Sequence, residues 1–79
     1  MGLVGYAELY ELRGLLAMKR GHYADAIKEL TVAIRHDSKA KEYYRLRSDA
    51  LEALGNMDKA EKDRRKIQKL KDQETKFER

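Results

Sequence analysis

The chain has 79 residues, no cysteine, no proline and a formal net charge of +4. This length suits one small domain, and the absence of cysteine excludes disulfides and thiolate metal sites. No apolar run approaches the roughly 18 residues that a membrane span requires, and no secretory signal is evident. We therefore expect a cytoplasmic or nuclear protein. Alanine, leucine, glutamate, lysine and arginine dominate, which predicts an all-α fold.

Four helices are predicted in chain order, at about residues 4–20, 23–36, 39–54 and 57–77. Gly21 and Gly55 are predicted to end the first and third helices, because glycine accepts the left-handed conformation that closes a helix C-terminus. Between the second and third helices, Asp37 or Ser38 is predicted to cap the third helix through its side-chain oxygen. The helices therefore form two hairpins with short turns.

The first predicted helix is apolar on more than one face. Tyr6, Tyr10, Gly14 and Ala17 follow helical spacing towards the hairpin partner, and Leu15 and Met18 add a further apolar surface. A separate stripe is formed by Leu9, Leu12 and Leu16. These three leucines either pack against the third helix or form an exposed surface. An exposed surface would serve self-association, a longer array or a ligand.

The second and fourth predicted helices differ in polarity. The second carries a broad apolar stripe that must be buried: Ala26, Ile27, Leu30, Val32, Ala33 and Ile34. The matching positions of the fourth are mostly polar: Ala60, Glu61, Arg64, Lys66, Ile67 and Gln68. A helix with a polar outer side is typical of the end of a repeat array, so we interpret the fourth helix as a C-terminal cap.

An internal repeat relates the two hairpins, with a period of about 34 residues, which lies in the range typical of helical repeat arrays. The identical pairs are Glu8/Glu42, Tyr10/Tyr44, Leu12/Leu46, Arg13/Arg47, Gly21/Gly55, Ala26/Ala60 and Lys28/Lys62. Two near matches are Gly14/Ser48 and Glu29/Asp63. Because small residues recur where the two helices of each hairpin cross, close helix packing is predicted.

This period and layout resemble the tetratricopeptide repeat family, whose pattern is W-x2-L-G-x2-Y, then A-x3-F, then P. The first repeat matches it at Tyr10, Gly14, Ala17, Ala26 and Leu30, with Ser38 in place of the proline. The second matches at Tyr44, Ser48, Leu51, Gly55 and Ala60, and departs at Arg64 and Asp72. The resemblance implies one module over 1–79, with repeat 1 at 7–40, repeat 2 at 41–71 and a charged helical tail at 72–79. It is an α-solenoid fragment of two hairpins ending in a long capping helix.

The resemblance also implies a function, because arrays of this family hold peptides in a groove lined by the first helix of each repeat. The groove positions here would be Glu8, Glu11, Leu15, Met18, Lys19, Glu42, Arg45, Asp49, Glu52 and Ala53. They are acidic around an apolar centre, which suits a peptide with a basic and an apolar side chain. We therefore expect a scaffold or protein-binding module, with a possible homo-oligomer.

One ligand of the family is not expected. Family members that bind the C-terminal carboxylate of chaperones do so with lysine and asparagine in the first repeat and asparagine in the second. Glu11, Leu15 and Leu46 occupy the matching positions, so chaperone C-terminal tails are not expected to bind.

No motif indicates an enzyme, a metal site or a cofactor. Glu8 and Glu11 lie one turn apart and resemble paired carboxylates, but a solvated helix face explains them better. His22 follows a helix end, and His36 near a helix C-terminus is favourable when protonated. An alternative function is nucleic-acid binding through the basic C-terminal helix, where residues 58–79 hold nine Lys or Arg against six Asp or Glu. Interleaved acids and the lack of an aromatic platform argue against that alternative.

Overall fold

A computed structural model describes residues 5–76, which form four α-helices. They are α1 (Tyr6–Lys19), α2 (Tyr23–His36), α3 (Lys41–Ala53) and α4 (Met57–Lys76). α1 packs against α2 and α3 packs against α4, while α2 also packs along α3 and joins the two hairpins. The predicted all-α fold of two helix hairpins is therefore confirmed. Repeat 1 below means α1 with α2, and repeat 2 means α3 with α4.

Both hairpin turns close on a glycine with a left-handed backbone. Gly21 has φ 76° and Gly55 has φ 81°, a region that residues with a side chain rarely adopt. In the first turn the His22 N–H donates to the Ala17 carbonyl at 2.8 Å, and the second turn makes the equivalent bond one repeat later. These bonds satisfy carbonyl groups that the helix end would otherwise leave unpaired. The predicted helix ends are therefore confirmed.

The link between the hairpins differs from the prediction. α3 begins at Lys41, and its cap residue Ala40 makes no side-chain hydrogen bond to the helix. Asp37 accepts a hydrogen bond from the Lys39 N–H at 3.2 Å instead, and the Ser38 carbonyl accepts one from the Tyr44 hydroxyl at 2.8 Å. Capping of α3 by Asp37 or Ser38 is therefore wrong. Since α3 starts two residues later than predicted, both side chains lie too far upstream, and the Asp37 side chain and the Ser38 carbonyl stabilise the link itself.

Small residues let the helices of each hairpin approach closely. Gly14 is the one buried residue of α1, and a Cβ atom there would lie 2.8 Å from Cγ of Leu30, itself completely buried. In repeat 2 the equivalent Ser48 is buried and donates its hydroxyl to the Arg45 carbonyl at 2.7 Å. The predicted close packing at these positions is confirmed for α1 and α2 by the contact with Leu30.

α4 is the longest helix, and its buried side is narrow. Ala60 and Leu70 are buried, Ile67 is half-buried, and Asp63 is a buried acid. The helix continues through Lys76, so the start of the predicted tail is helical. Phe77, the last residue of the predicted fourth helix, lies outside the described residues. The remaining exposed side of α4 is charged, as expected for a capping helix.

Candidate functional site

The predicted groove brings acidic side chains of both repeats together. α1 and α3 approach each other over a short stretch. Burial raises the pKa of Glu11 above its usual value, and the negative charges of Glu42 and Glu8 raise it further. The three carboxylates therefore lie within the range over which like charges repel. The N-terminal halves of α1 and α3 therefore present an acidic surface.

Other predicted groove residues neutralise one another. Arg45 contacts Glu42 at 2.6 Å and Asp49 at 3.4 Å. The hydrogen bond and charge of Glu42 raise the pKa of Arg45, and the same bond lowers the pKa of Glu42. Glu52 contacts Arg64 of α4 at 3.0 Å. Each groove acid of α3 is therefore in contact with an arginine.

Glu11 is the least compensated acid of this surface. The neighbouring Glu8 carboxylate accepts a hydrogen bond from the Gly5 N–H at 2.8 Å, whereas Glu11 makes no ion pair within residues 5–75. One turn further along α1, Leu15 is exposed and Met18 is half-buried. An acidic group and an apolar side chain thus lie side by side on α1.

Tyr43 belongs to this region but does not appear among the predicted groove residues. Burial raises the pKa of its hydroxyl, and the charge of Glu11 raises it further. Tyr43 lines an open cavity of about 370 Å³ at the N-terminal end of α1, together with Glu8 and His36. The signal that could have identified it is its place one repeat after Leu9, on the face that α3 presents to the preceding hairpin.

His36 forms a small aromatic cluster at the same end of the molecule. Its ring stacks on Tyr6, with 5.5 Å between ring centroids, and on Tyr10, with 6.2 Å. The guanidinium of Arg13 lies 5.2 Å from the centre of the Tyr10 ring. The sequence predicts for His36 only a favourable charge near a helix C-terminus when it is protonated. Antiparallel pairing brings the last residue of α2 to the first turns of α1, where the two tyrosines are one turn apart.

The three leucines of the separate α1 stripe are exposed. Leu9 is 42% exposed, Leu12 is 54% and Leu16 is 52%. The interpretation that they pack against α3 is therefore wrong, because all three side chains stay open to solvent and α1 approaches α3 over only a short stretch. We call these three residues the outer face of α1. The equivalent positions of repeat 2 are Tyr43, Leu46 and Ala50, and all three are buried.

An ion pair recurs at the same two positions of each repeat. Arg13 contacts Glu29 at 3.2 Å, and Arg47 contacts Asp63 at 2.8 Å. In repeat 2 the arginine also donates a hydrogen bond to Thr31 of α2 at 3.2 Å. The bond to Asp63 raises the pKa of Arg47 further above its usual value. The pairs differ because α2 covers the second pair and no described helix covers the first.

A second cavity, of about 380 Å³, opens between α2, α3 and α4 on the side away from the groove. Its lining residues are Ile27, Thr31, Arg47, Leu51, Lys59, Lys62 and Asp63. Arg47 and Asp63 of this lining already bond to each other, and no buried side-chain nitrogen or oxygen among the described residues lacks a hydrogen-bond partner. The cavity therefore holds no unsatisfied polar group that calls for a ligand.

Some charged residues of α4 form ion pairs. Arg65 contacts Glu61 at 3.6 Å, and Glu74 contacts Lys41 of α3. Four exposed lysines follow helical spacing and therefore share one side of the helix: Lys59, Lys62, Lys66 and Lys69.

Over residues 5–76, no group of three histidine, aspartate or glutamate side chains is arranged to hold a metal ion. No helix in that part of the chain has the length and apolarity that a membrane crossing needs. No family model, curated protein or solved structure matches the chain. The resemblance to tetratricopeptide repeats therefore rests on the internal repeat and on the helix arrangement.

Proposed function

We propose that the chain is a helical-repeat module of the tetratricopeptide type that binds another protein. It takes a peptide in the groove between α1 and α3. The observation that supports this is the uncompensated Glu11, held near Glu8 and Glu42 and one turn from the exposed Leu15. Like charges at close range raise the free energy of the unbound protein. A cationic side chain of a ligand would remove that repulsion on binding.

The geometry of α1 suggests the spacing of the ligand. Glu11 and Leu15 are four residues apart, a rise of about 6 Å along the helix. In an extended peptide, two residues separated by one residue lie about 7 Å apart with their side chains on the same side. A ligand of the form basic-x-apolar would therefore place its cation near Glu11 and its apolar side chain on Leu15 and Met18.

The test measures binding of short labelled peptides containing Lys-x-Leu or Arg-x-Leu, beside otherwise identical peptides containing Glu-x-Leu. We expect the basic peptides alone to bind, with an affinity that falls as salt rises. Glu11→Arg and Leu15→Glu should each weaken binding at least about tenfold, which corresponds to about 1.4 kcal/mol.

The control is Glu61→Arg, which makes the same charge change on α4, away from the groove. It should leave the affinity unchanged. Equal binding of the acidic peptides, or full binding by Glu11→Arg, would refute the groove site. A pull-down with the intact chain would test a natural ligand. Loss of the same partner from a Leu15 variant and from an Arg45 variant would support the groove site.

A further inference from the structure

The outer face of α1 is exposed at positions where repeat 2 is buried. Leu12 is the clearest case, since its repeat equivalent Leu46 is only 5% exposed. α3 packs against α4 and along α2. The molecule therefore shows, within itself, that a helix can cover this type of surface. The remaining question is which helix covers it in repeat 1.

We propose that the outer face of α1 is the interface of a symmetric dimer, in which α1 packs antiparallel against α1 of a second copy. The two surfaces share Glu8 and Lys19 at one edge, but Glu11 lies on a different side of α1 and therefore distinguishes the groove from the dimer interface.

The opposite end of the molecule does not fit the outer face. In α2, Ile27 and Thr31 line the cavity shared with α3. Their repeat equivalents, on the free side of α4, are Glu61 and Arg65. Packing Leu12 against these charges would remove them from water without giving them new partners, which is unfavourable. Head-to-tail stacking is therefore disfavoured. When the outer faces of two copies pack against each other, no outer face is left free, so the assembly ends at two copies.

The leucine spacing suits an antiparallel pair. Leu9 and Leu16 are seven residues apart, about 10 Å along the helix, and Leu12 lies between them. With two-fold symmetry, Leu9 of one copy faces Leu16 of the other, and the two Leu12 side chains meet near the axis. Each leucine then gains an apolar neighbour and loses contact with water.

The charges at the edges of the outer face are also complementary. Glu8 and Lys19 are eleven residues apart, close to three helical turns, so they border the same edge of this face. In an antiparallel pair, Glu8 of each copy lies opposite Lys19 of the other. On the other edge Arg13 already contacts Glu29 at 3.2 Å. The two Arg13 side chains therefore meet with their charges largely compensated.

The size of the contact places the dimer among weak, reversible assemblies. One helix from each copy buries less than about 1,200 Å² in total, the lower end of stable interfaces. We therefore expect a reversible dimer with a dissociation constant on the order of 10 µM.

The experiment is analytical ultracentrifugation of the full chain over a concentration series, with helicity checked by circular dichroism. The wild-type chain should show a monomer–dimer equilibrium. Leu12→Glu should weaken dimerisation at least about tenfold. The matched control is Leu54→Glu, because Leu54 is also 54% exposed but lies outside the outer face. It should dimerise like the wild-type chain.

Charge reversal tests the antiparallel orientation. Glu8→Lys alone and Lys19→Glu alone should each weaken the dimer, because each places like charges together. The double variant should recover it, since the opposite charges are restored across an antiparallel pair but not across a parallel one.

Three results would overturn the proposal. One is a folded wild-type chain that stays monomeric well above the expected dissociation constant. Another is a dimer that Leu12→Glu does not affect. The third is a monomer that binds a different helical protein through Leu12, which would assign the face to that protein. Glu11→Arg should leave dimerisation unchanged, so failure of the groove hypothesis is distinguishable.

Discussion

Repeat 1 and repeat 2 place matching side chains in different surroundings. Leu12 and Leu46 are the same residue at the same repeat position, yet the first is 54% exposed and the second is 5% exposed. The arginine side chains of the recurring ion pair differ in the same direction, with Arg13 54% exposed and Arg47 21%. Arg47 bonds to Thr31 of α2, and α3 as a whole lies between α2 and α4, whereas α1 packs mainly against α2. A repeat position therefore acquires its energetic role from the neighbouring hairpin.

The two ends of the molecule also differ in the polarity of the surface that they expose. α1 exposes an apolar face, whereas α4 exposes a charged one. Because burial of apolar surface stabilises a contact and burial of unpaired charge opposes it, further protein should meet this chain at α1.

The largest expected effect is that of removing a buried leucine from repeat 2. Leu46→Ala should lower the free energy of unfolding by about 2–5 kcal/mol, because it leaves a cavity between α3 and its neighbours. The matched change, Leu12→Ala, should cost less than about 1 kcal/mol, since the side chain already contacts water. Urea unfolding at low micromolar protein would measure both without a contribution from self-association. Equal losses in the two variants would contradict the difference in burial.

Removing the acid of the recurring ion pair should also lower the free energy of unfolding more in repeat 2 than in repeat 1, but by a smaller difference. Asp63→Ala should cost about 2–3 kcal/mol, because Arg47 would remain largely covered without its carboxylate partner. Glu29→Ala should cost less than about 1 kcal/mol, because Arg13 is well exposed and water can replace the acid. Thermal unfolding of the two variants, with the wild-type chain as reference, checks the comparison. A larger loss for Glu29→Ala would show that α2 does not shield the second pair.

The smallest expected effects are those of neutralising Glu11 and Glu42, which should change the free energy of unfolding in opposite directions. Glu11→Gln should raise the free energy of unfolding at pH 7 by up to about 0.5 kcal/mol, because it removes an uncompensated charge. Glu42→Gln should lower it by a similar amount, because Arg45 loses its partner at 2.6 Å.

The pH dependence follows from the direction of each pKa shift. The pKa of Glu11 is raised in the folded chain, so its destabilising effect is complete above that pKa and disappears as pH falls through it. The pKa of Glu42 is lowered, so its stabilising effect is present above the pKa of the unfolded chain and is lost as pH falls through the folded value. Unfolding curves from pH 7 to pH 3 should therefore bring both variants towards the wild-type chain. A Glu11→Gln variant less stable than wild type at pH 7 would contradict the crowding of acids in the groove.

Much of the fold could be predicted because its signals are local. Gly21 and Gly55 mark the two turns, since a left-handed backbone has a strong preference for glycine. Helical periodicity placed α2 at the bounds that the structure has. The cap of α3 could not be predicted as well, because Asp37 can bond to several nearby N–H groups and the length of the link decides which one it reaches.

Less of the candidate site could be predicted. The groove residues Glu8, Glu11 and Glu42 do come together, but their pattern alone did not show that Arg45 would compensate one acid and leave another unpaired. Tyr43 and the stacking of His36 on Tyr6 depend on contacts between residues far apart in the chain. Such contacts depend on how the helices are arranged, and residue spacing within one helix does not specify that arrangement.

By itself, the sequence determined the four helices, the glycine turns, the repeat period and the polarity of α4, because each follows from backbone preference, helical spacing or the match of the chain with itself. Only the tertiary structure decided that Leu9, Leu12 and Leu16 are exposed while the matching positions of α3 are buried. The physical reason is that burial depends on which neighbour a helix receives. In this chain α2 lies over α3, and no described helix lies over the outer face of α1.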